Sequence, residues 1–136
     1  MNTISRTFLA LGAIALLLAT VIGAYGTHAL ASTLSAERSS AFATAVDYEF
    51  YHGLGLLAVA ALTERQPGNW WLRSAGTLLC AGIVLFCGGI YLTTFGAPAA
   101  AGLATPVGGT AFMAGWAALA LGAWHARDGR PTDALA

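Results

Sequence analysis

Residues 74–126, SAGTLLCAGIVLFCGGIYLTTFGAPAAAGLATPVGGTAFMAGWAALALGAWHA, form a run of 53 positions without a formal charge. A second uncharged run of 30 residues separates Arg6 from Glu37. A soluble domain must cover its surface with polar groups, so a chain of 136 residues cannot place runs of this length in water. A helix crosses the hydrocarbon core of a bilayer with about 20 mostly apolar residues. The two runs therefore predict membrane-spanning helices.

The whole chain is poor in charge. Charged residues make up 9% of the positions and apolar residues 57%, whereas an ordinary soluble domain has about 25% charged residues. Six arginines, no lysine and a net charge of zero do not provide the basic patch that a nucleic-acid-binding protein requires. The apolar content excludes a disordered chain, and two cysteines are too few for a disulfide framework. We therefore expect an all-α protein whose surroundings are the lipid bilayer, without a nucleic-acid partner.

The apolar segments predict a transmembrane four-helix bundle in a single domain. We place the helices at about 7–30, 42–63, 72–94 and 106–125, with a polar tail at 126–136. The second helix is the weakest, because Asp47 and Glu49 leave only 14 uninterrupted residues before Glu64. Counted from residue 41 it has 23 residues, enough to span, with both carboxylates near one end, where their insertion costs less.

Local signals mark two of the helix ends. Thr105 followed by Pro106 predicts an N-cap and the first residue of the fourth helix. The first apolar segment has an alternative interpretation as a cleaved signal peptide, with Arg6 before it and Ala29-Leu30-Ala31 as the cleavage site. Its apolar stretch exceeds the usual 7–15 residues of a signal peptide, and further spans follow, so we retain it as a helix.

The arginines predict the orientation in the membrane. Four spans put both termini on one side. That side holds five arginines and the opposite loops only Arg38; the five are Arg6, Arg65, Arg73, Arg127 and Arg130. Because short cytoplasmic loops carry the excess of positive charge, both termini should be cytoplasmic, or on the matrix side of a mitochondrial inner membrane.

Small residues follow one face of the fourth helix at alternating spacings of three and four. They are Gly108, Ala111, Gly115, Ala118 and Gly122. In lipid, helices associate through close packing of such residues, because apolar burial no longer drives them together. We expect this face to pack against another helix, either of the same chain or of a second protomer, in a homo-oligomer or with another membrane protein.

A small set of polar residues lies within or beside the predicted spans. The candidate site residues are His28, Tyr48, Glu49, His52, Tyr91 and Thr105. Helical spacing places Tyr48, Glu49 and His52 on one face. A carboxylate near an imidazole inside a membrane is costly to bury unless it is paired, so this cluster is the default candidate for function.

Three interpretations of the cluster are open from the residues alone. Glu49 and His52 could tie the second helix to the first, or they could line a path for protons or a small solute. They could also belong to a metal or haem site, with His28 and His52 as non-covalent haem ligands. Di-iron bundles use the spacing of Glu49 and His52 twice, together with two further carboxylates, and this chain has it once. With no phosphate loop, nucleophile elbow or zinc-protease helix in the sequence, we predict no cofactor, no metal and no enzymatic activity.

Several of these residues belong to stretches that resemble the YgdD-like family of small integral membrane proteins, a domain of unknown function. The stretches are residues 23–30 (GAYGTHAL), 48–52 (YEFYH), 85–91 (LFCGGIY) and 105–109 (TPVGG) with Phe112, Gly115 and Trp116. The resemblance implies a four-helix protein of the bacterial inner membrane, and the family brings no established activity. Its usual pattern has Gln at position 49 and often Ser at position 87, so hydrogen bonding and packing at position 49 are favoured over obligatory acid–base chemistry. We therefore expect a structural or accessory component of a membrane assembly.

Overall fold

The structure, a computed structural model, describes residues 1–30 and 32–125. This part of the chain contains four long helices and no strand: α1 (Thr3–Leu30), α2 (Ala36–Arg65), α3 (Trp70–Thr94) and α4 (Ala99–Trp124). The predicted tail at 126–136, with Arg127 and Arg130, lies outside the described residues. So does Ala31 of the alternative cleavage site.

The second helix begins six residues before the predicted boundary at 42. Ser35 is its N-cap and accepts a hydrogen bond from the backbone N–H of Arg38 at 3.4 Å, while Glu37 lies in the first turn. Both features stabilise a helix N-terminus, where backbone N–H groups are unpaired and the helix dipole is positive. Residues 36–41, which the predicted boundary left outside the second helix, are therefore helical.

The prediction that Thr105 caps α4 was wrong. A 3₁₀ turn at Ala99–Leu103 leads directly into the α-helix Ala104–Trp124, so Leu103 holds the cap position and makes no side-chain cap bond. The preceding turn already sets the backbone direction, so the helix starts before the side-chain signal. Pro106 fits there because its missing N–H falls in the first turn, where N–H groups lack helical partners.

Two of the helices contain a wider, π-helical turn. One closes α1 at Gly26–Leu30, and the other interrupts α3 at Ile83–Cys87. A π turn accommodates an extra residue within a helix. The part of α3 before its π turn packs mainly on the α-helix Ala104–Trp124, and the part after it packs on α2 and on the 3₁₀ turn Ala99–Leu103 that opens α4.

The bundle is built from two antiparallel pairs, α1 with α2 and α3 with α4, and α2 packs on α3 between them. Small residues let the backbones approach. A Cβ placed on Gly12 of α1 would lie 2.9 Å from the carbonyl oxygen of Gly53 in α2. Gly76 of α3 similarly makes room for Phe8, and Gly82 for Phe112. This is the packing expected of helices in lipid.

The small-residue face of α4 lies against α3 of the same chain. Four of its five members are buried and Ala111 is half-buried. Its three glycines face successive α3 side chains: Gly108 faces Phe86, Gly115 faces Leu79, and Gly122 faces Leu72.

The exterior of the bundle is apolar. Leu17, Val84 and Met113 are 63%, 69% and 69% exposed, as suits a surface surrounded by lipid. By length and hydropathy α1, α3 and α4 can each cross a membrane. The remaining helix, α2, is less apolar because of Asp47 and Glu49, but its 30 residues extend for about 45 Å, which is long enough to cross a membrane. The predicted all-α transmembrane four-helix bundle is confirmed.

Hydrogen bonds bring three chain segments together at one end of the bundle, which we call the 66–69 end after the turn that lies there. The side-chain amide of Asn2 donates to the carbonyl of Thr63 at 3.1 Å, and that of Asn69 donates to the carbonyl of Gly122 at 3.0 Å. The N-terminus, the turn after α2 and the end of α4 therefore lie together. The connections that follow α1 and α3 lie at the opposite end, which we call the 95–103 end.

Candidate functional site

Glu49 is joined to α3. It is 3% exposed, and its Oε2 accepts a hydrogen bond of 2.7 Å from the hydroxyl of Tyr91. The two residues are 42 positions apart, so the bond ties the middle of α2 to the last turn of α3. In the part of the chain that the structure describes, no hydrogen bond joins Glu49 to His52. The sequence placed Glu49 and Tyr91 in one candidate set without pairing them.

Three aromatic side chains form a cluster that meets this pair through Phe42, on the side toward the 95–103 end; we call it the aromatic cap, and it consists of Tyr25, Phe42 and Phe95. The ring of Phe42 lies 5.4 Å from that of Tyr91 and 6.3 Å from that of Phe95, and Tyr25 lies 6.3 Å from Phe95. Sequence reasoning missed this cap. The available signal was Phe42, which precedes Glu49 by two helical turns on the same face.

His52 has a fixed ring. Its Nδ1 bonds to the carbonyl oxygen of Tyr48 one turn earlier. Its ring stacks on that of Phe112, with the ring centres 3.4 Å apart and 14° between the planes. A carbonyl oxygen only accepts, so Nδ1 must carry a proton, and Nε2 of the neutral ring is then an acceptor. Nε2 has no hydrogen-bond partner among the described residues. Since every buried side-chain nitrogen or oxygen in that part of the chain has one, Nε2 reaches the molecular surface.

His52 lines a groove of about 570 Å³ between α2, α3 and α4, which we call the aromatic groove. Its main lining residues are Tyr48, Tyr51, His52, Phe86, Phe112 and Trp116. Tyr48 and Phe86 stack in parallel, with ring centres 5.0 Å apart and 15° between the planes. The sequence placed Tyr48 and His52 in the candidate set, but not the other four residues of the groove.

The two remaining candidates lie apart from these pairs. His28 is exposed in the π turn that closes α1, and it does not line the aromatic groove. Thr105 is half-buried, and its hydroxyl would be 2.8 Å from a Cβ placed on Gly89. Among residues 1–30 and 32–125, no three His, Cys, Asp or Glu side chains are grouped so that they could hold a metal ion. The structure thus forms two separate polar pairs, Glu49 with Tyr91 and His52 with Tyr48.

Comparison with known proteins places both pairs inside a family segment. The family described as a protein of unknown function (DUF423) matches residues 22–109, from the end of α1 into α4. The chain belongs to the DUF423 family. This DUF423 segment includes Glu49, His52 and Tyr91, although Phe112 and Trp116 of the aromatic groove lie beyond it.

Relatives of this DUF423 protein are named as membrane proteins. The chain is similar to the UPF0382 membrane protein YwdK of Bacillus subtilis, with 40% identity over 82% of this chain and 90% of that protein. It is also similar to the UPF0382 membrane protein SSP2132 of Staphylococcus saprophyticus, with 39% identity over 86% and 96% of the two chains. The UPF0382 inner membrane protein YgdD of Escherichia coli is 34% identical over 88% and 90%. The predicted YgdD-like family is confirmed. No solved structure matches the chain.

Proposed function

We propose that this DUF423 protein is a structural or accessory component of a membrane assembly, as a homo-oligomer or with other membrane proteins, and has no catalytic chemistry. The observation that carries the proposal is that buried polar side chains form hydrogen bonds between helices. The hydroxyl of Ser5 donates to the carbonyl of Ala60 at 2.7 Å and ties α1 to α2, while Tyr91 and Glu49 tie α2 to α3. Each buried polar side-chain atom in residues 1–30 and 32–125 has a hydrogen-bond partner, either in another helix or, as for Thr63 and Val59, in its own. In lipid the bonds between helices hold the bundle together.

Conduction of protons or a small solute is the second candidate, and the same geometry argues against it. A conducting path needs polar groups or water that follow one another across the membrane. Glu49 and His52 have separate partners, and the buried ring of Phe42 packs on Tyr91 on the side toward the 95–103 end. On the other side α2 continues with the fully buried Leu56 and Val59.

One experiment separates the two roles. Glu49→Gln retains an oxygen that can accept from Tyr91, whereas Glu49→Leu removes it. For the structural role we expect equal proton flux in proteoliposomes of wild type and Glu49→Gln, and lower resistance to unfolding only in Glu49→Leu. Asp47→Asn, on the exposed face of α2, is the matched control and should change neither quantity. A flux above that of empty liposomes which Glu49→Gln abolishes would support conduction instead.

The accessory role is tested in native membranes. Blue-native electrophoresis of gently solubilised membranes should show the tagged full chain in a particle larger than a monomer. A chain that migrates only as a monomer would contradict an assembly.

We also propose that the protein spans a bacterial inner membrane several times with both termini in the cytoplasm. Inner membrane is the location in the name of the Escherichia coli relative. The 66–69 end carries Arg6, Arg65 and Arg73, while Arg38 lies beside the other end, so the positive-inside rule favours a cytoplasmic 66–69 end. Green fluorescent protein fused to the C-terminus should fluoresce. Activity of alkaline phosphatase at that position would contradict the orientation.

A further inference from the structure

We propose that the aromatic groove binds the ring of a lipid-soluble hydroquinone, with Nε2 of His52 accepting a hydrogen bond from a ring hydroxyl. This goes beyond the structural role and does not depend on it, because the groove lies on the outside of the helix ties. Three observations select the chemistry of the ligand: the free acceptor, the walls of the groove and its depth.

The free acceptor is Nε2 of His52. The side chain is 6% exposed, and the bond to Tyr48 and the stack on Phe112 hold its ring in one orientation. His52 lines the groove and Nε2 is its one unpartnered polar atom, at a surface where lipid tails offer no hydrogen-bond donor. A neutral imidazole with Nδ1–H already donating can only accept at Nε2. The ligand must therefore donate, as a hydroxyl does and a quinone carbonyl does not.

The walls select a planar ring. Tyr48 and Phe86 present a stacked pair on one side, and Trp116 lies with its ring centre 6.0 Å from that of His52. Aromatic side chains pack best against other rings in offset or edge-to-face contacts. The volume of about 570 Å³ falls within the range of small-molecule sites, which are mostly apolar with a few placed polar groups.

The depth selects a ligand that is soluble in the membrane. His52 stacks on Phe112, which lies eight residues after the start and twelve before the end of the α-helix Ala104–Trp124. These separations correspond to about 12 Å and 18 Å along the helix axis. The hydrocarbon core is about 30 Å thick, so the site lies below the lipid headgroups. Met113 at the rim is 69% exposed to the surrounding lipid, which leaves an apolar exit for a hydrocarbon tail.

The backbone beside the groove is also unusual. Phe86 lies in the π turn Ile83–Cys87 of α3, and it packs against Gly108 so closely that a Cβ on Gly108 would overlap its backbone. Single π turns inside α-helices occur frequently at functional sites. Here the turn presents Phe86 to Tyr48 as one wall of the groove.

The test uses the full chain in nanodiscs of phosphatidylethanolamine and phosphatidylglycerol. It is titrated under argon with decylubiquinol and, separately, with oxidised decylubiquinone. Binding is followed by tryptophan emission, and the ¹⁵N spectrum of labelled histidine reports a hydrogen bond at Nε2. We expect saturable binding of the reduced form, a shifted Nε2 resonance, and affinity at least about fivefold lower for the oxidised form, which cannot donate.

Two variants and a control locate the site. His52→Phe keeps the ring and removes the acceptor, so the affinity for decylubiquinol should fall at least about fivefold. His125→Phe is the matched control, because His125 makes the same Nδ1 bond to a carbonyl one turn earlier, at 2.8 Å from Leu121, but at the 66–69 end. Its affinity should equal that of wild type. Gly109 lines the groove, so the side chain introduced by Gly109→Leu should fill it and abolish binding. The thermal stability should be unchanged, since a Cβ at position 109 meets only Phe86, at an ordinary 3.7 Å.

The proposal is overturned if wild type shows no saturable binding of decylubiquinol, or if both redox forms bind equally. It is also overturned if the affinities of His52→Phe and Gly109→Leu match that of wild type. Should His52→Phe not fold, Gly109→Leu and the ¹⁵N spectrum of the wild type decide.

Discussion

Two adjacent glycines in α4 give a sharp test of the packing between α3 and α4. A Cβ on Gly108 would overlap the backbone N of Phe86 and lie 2.8 Å from its Cα and Cβ. A Cβ on Gly109 would meet only the ring of Phe86, at 3.7 Å and 3.9 Å. Because the neighbour of Gly108 is backbone, no rotamer change can relieve the contact in Gly108→Ala. The helices must separate by more than about 0.6 Å, because that shift brings only the 2.8 Å contacts to an ordinary 3.4 Å and the overlap with the backbone N is closer still.

The two alanine variants should therefore differ in stability by about 1–3 kcal/mol, the usual cost of overpacking a tight core. Both gain the helix propensity of alanine over glycine, about 1 kcal/mol, so this gain cancels in the comparison. Gly109→Ala should match or exceed wild type, and Gly108→Ala should fall below Gly109→Ala.

The measurement is equilibrium unfolding in mixed micelles of dodecyl maltoside with increasing dodecyl sulfate, followed by circular dichroism. Sequence alone does not distinguish the two positions, so equal unfolding free energies for the two variants would refute the assignment of Gly108 to the α3 contact. A destabilised Gly109→Ala beside an unchanged Gly108→Ala would mean that α4 is rotated from the orientation described above.

Three further predictions address other contacts. Tyr91→Phe removes the donor to Glu49 and should cost about 1 kcal/mol in the same unfolding assay, and an unchanged free energy would mean that the bond does not stabilise the bundle. Outside the spans, the backbone N–H of Asn2 donates to Glu64 at 2.8 Å and lowers the pKa of Glu64 below its usual value of 4.5. A carboxyl whose pKa is lower in the folded state stabilises the fold at neutral pH and loses that contribution as the pH falls below 4.5. The gap in Tm between wild type and Glu64→Gln should therefore close in acid, and a constant gap would contradict this. Gly96 has a φ of +93°, so Gly96→Ala should cost about 1–2 kcal/mol, whereas Gly88→Ala, whose Cβ would have open space, should not; equal effects would exclude backbone strain as the cause.

The sequence predicted the number of helices because lipid imposes a length and an apolar composition on each span. Three spans follow from the uncharged runs alone. The start of α2 was missed because Ser35 and Glu37 stabilise a helix that begins in a polar segment. The start of α4 was missed because the 3₁₀ turn at Ala99–Leu103 acts through the backbone and leaves no side-chain signal.

The candidate site was predictable as a set of residues and not as pairs. Spacing along one helix put Glu49 and His52 on a common face, but their partners come from contacts between helices. Tyr91 reaches Glu49 from α3, and Phe112 reaches His52 from α4. Helical spacing carries no information on how two helices are rotated about their axes. The free acceptor on His52 is visible only once Nδ1 is seen to bond within its own helix.

The π turn in α3 has a consequence for how this chain can change. Each residue of an α-helix advances the direction of its side chains by about 100°. The wider turn at Ile83–Cys87 takes up one extra residue and so cancels this rotation, which means that deleting one residue there would restore a regular α-helix and leave Tyr91 facing Glu49. Leu79 and its contact with Gly115 would keep their places. The chain can therefore lose one residue within this turn while both helix interfaces of α3 are preserved, whereas the same deletion elsewhere in α3 would rotate one half against the other.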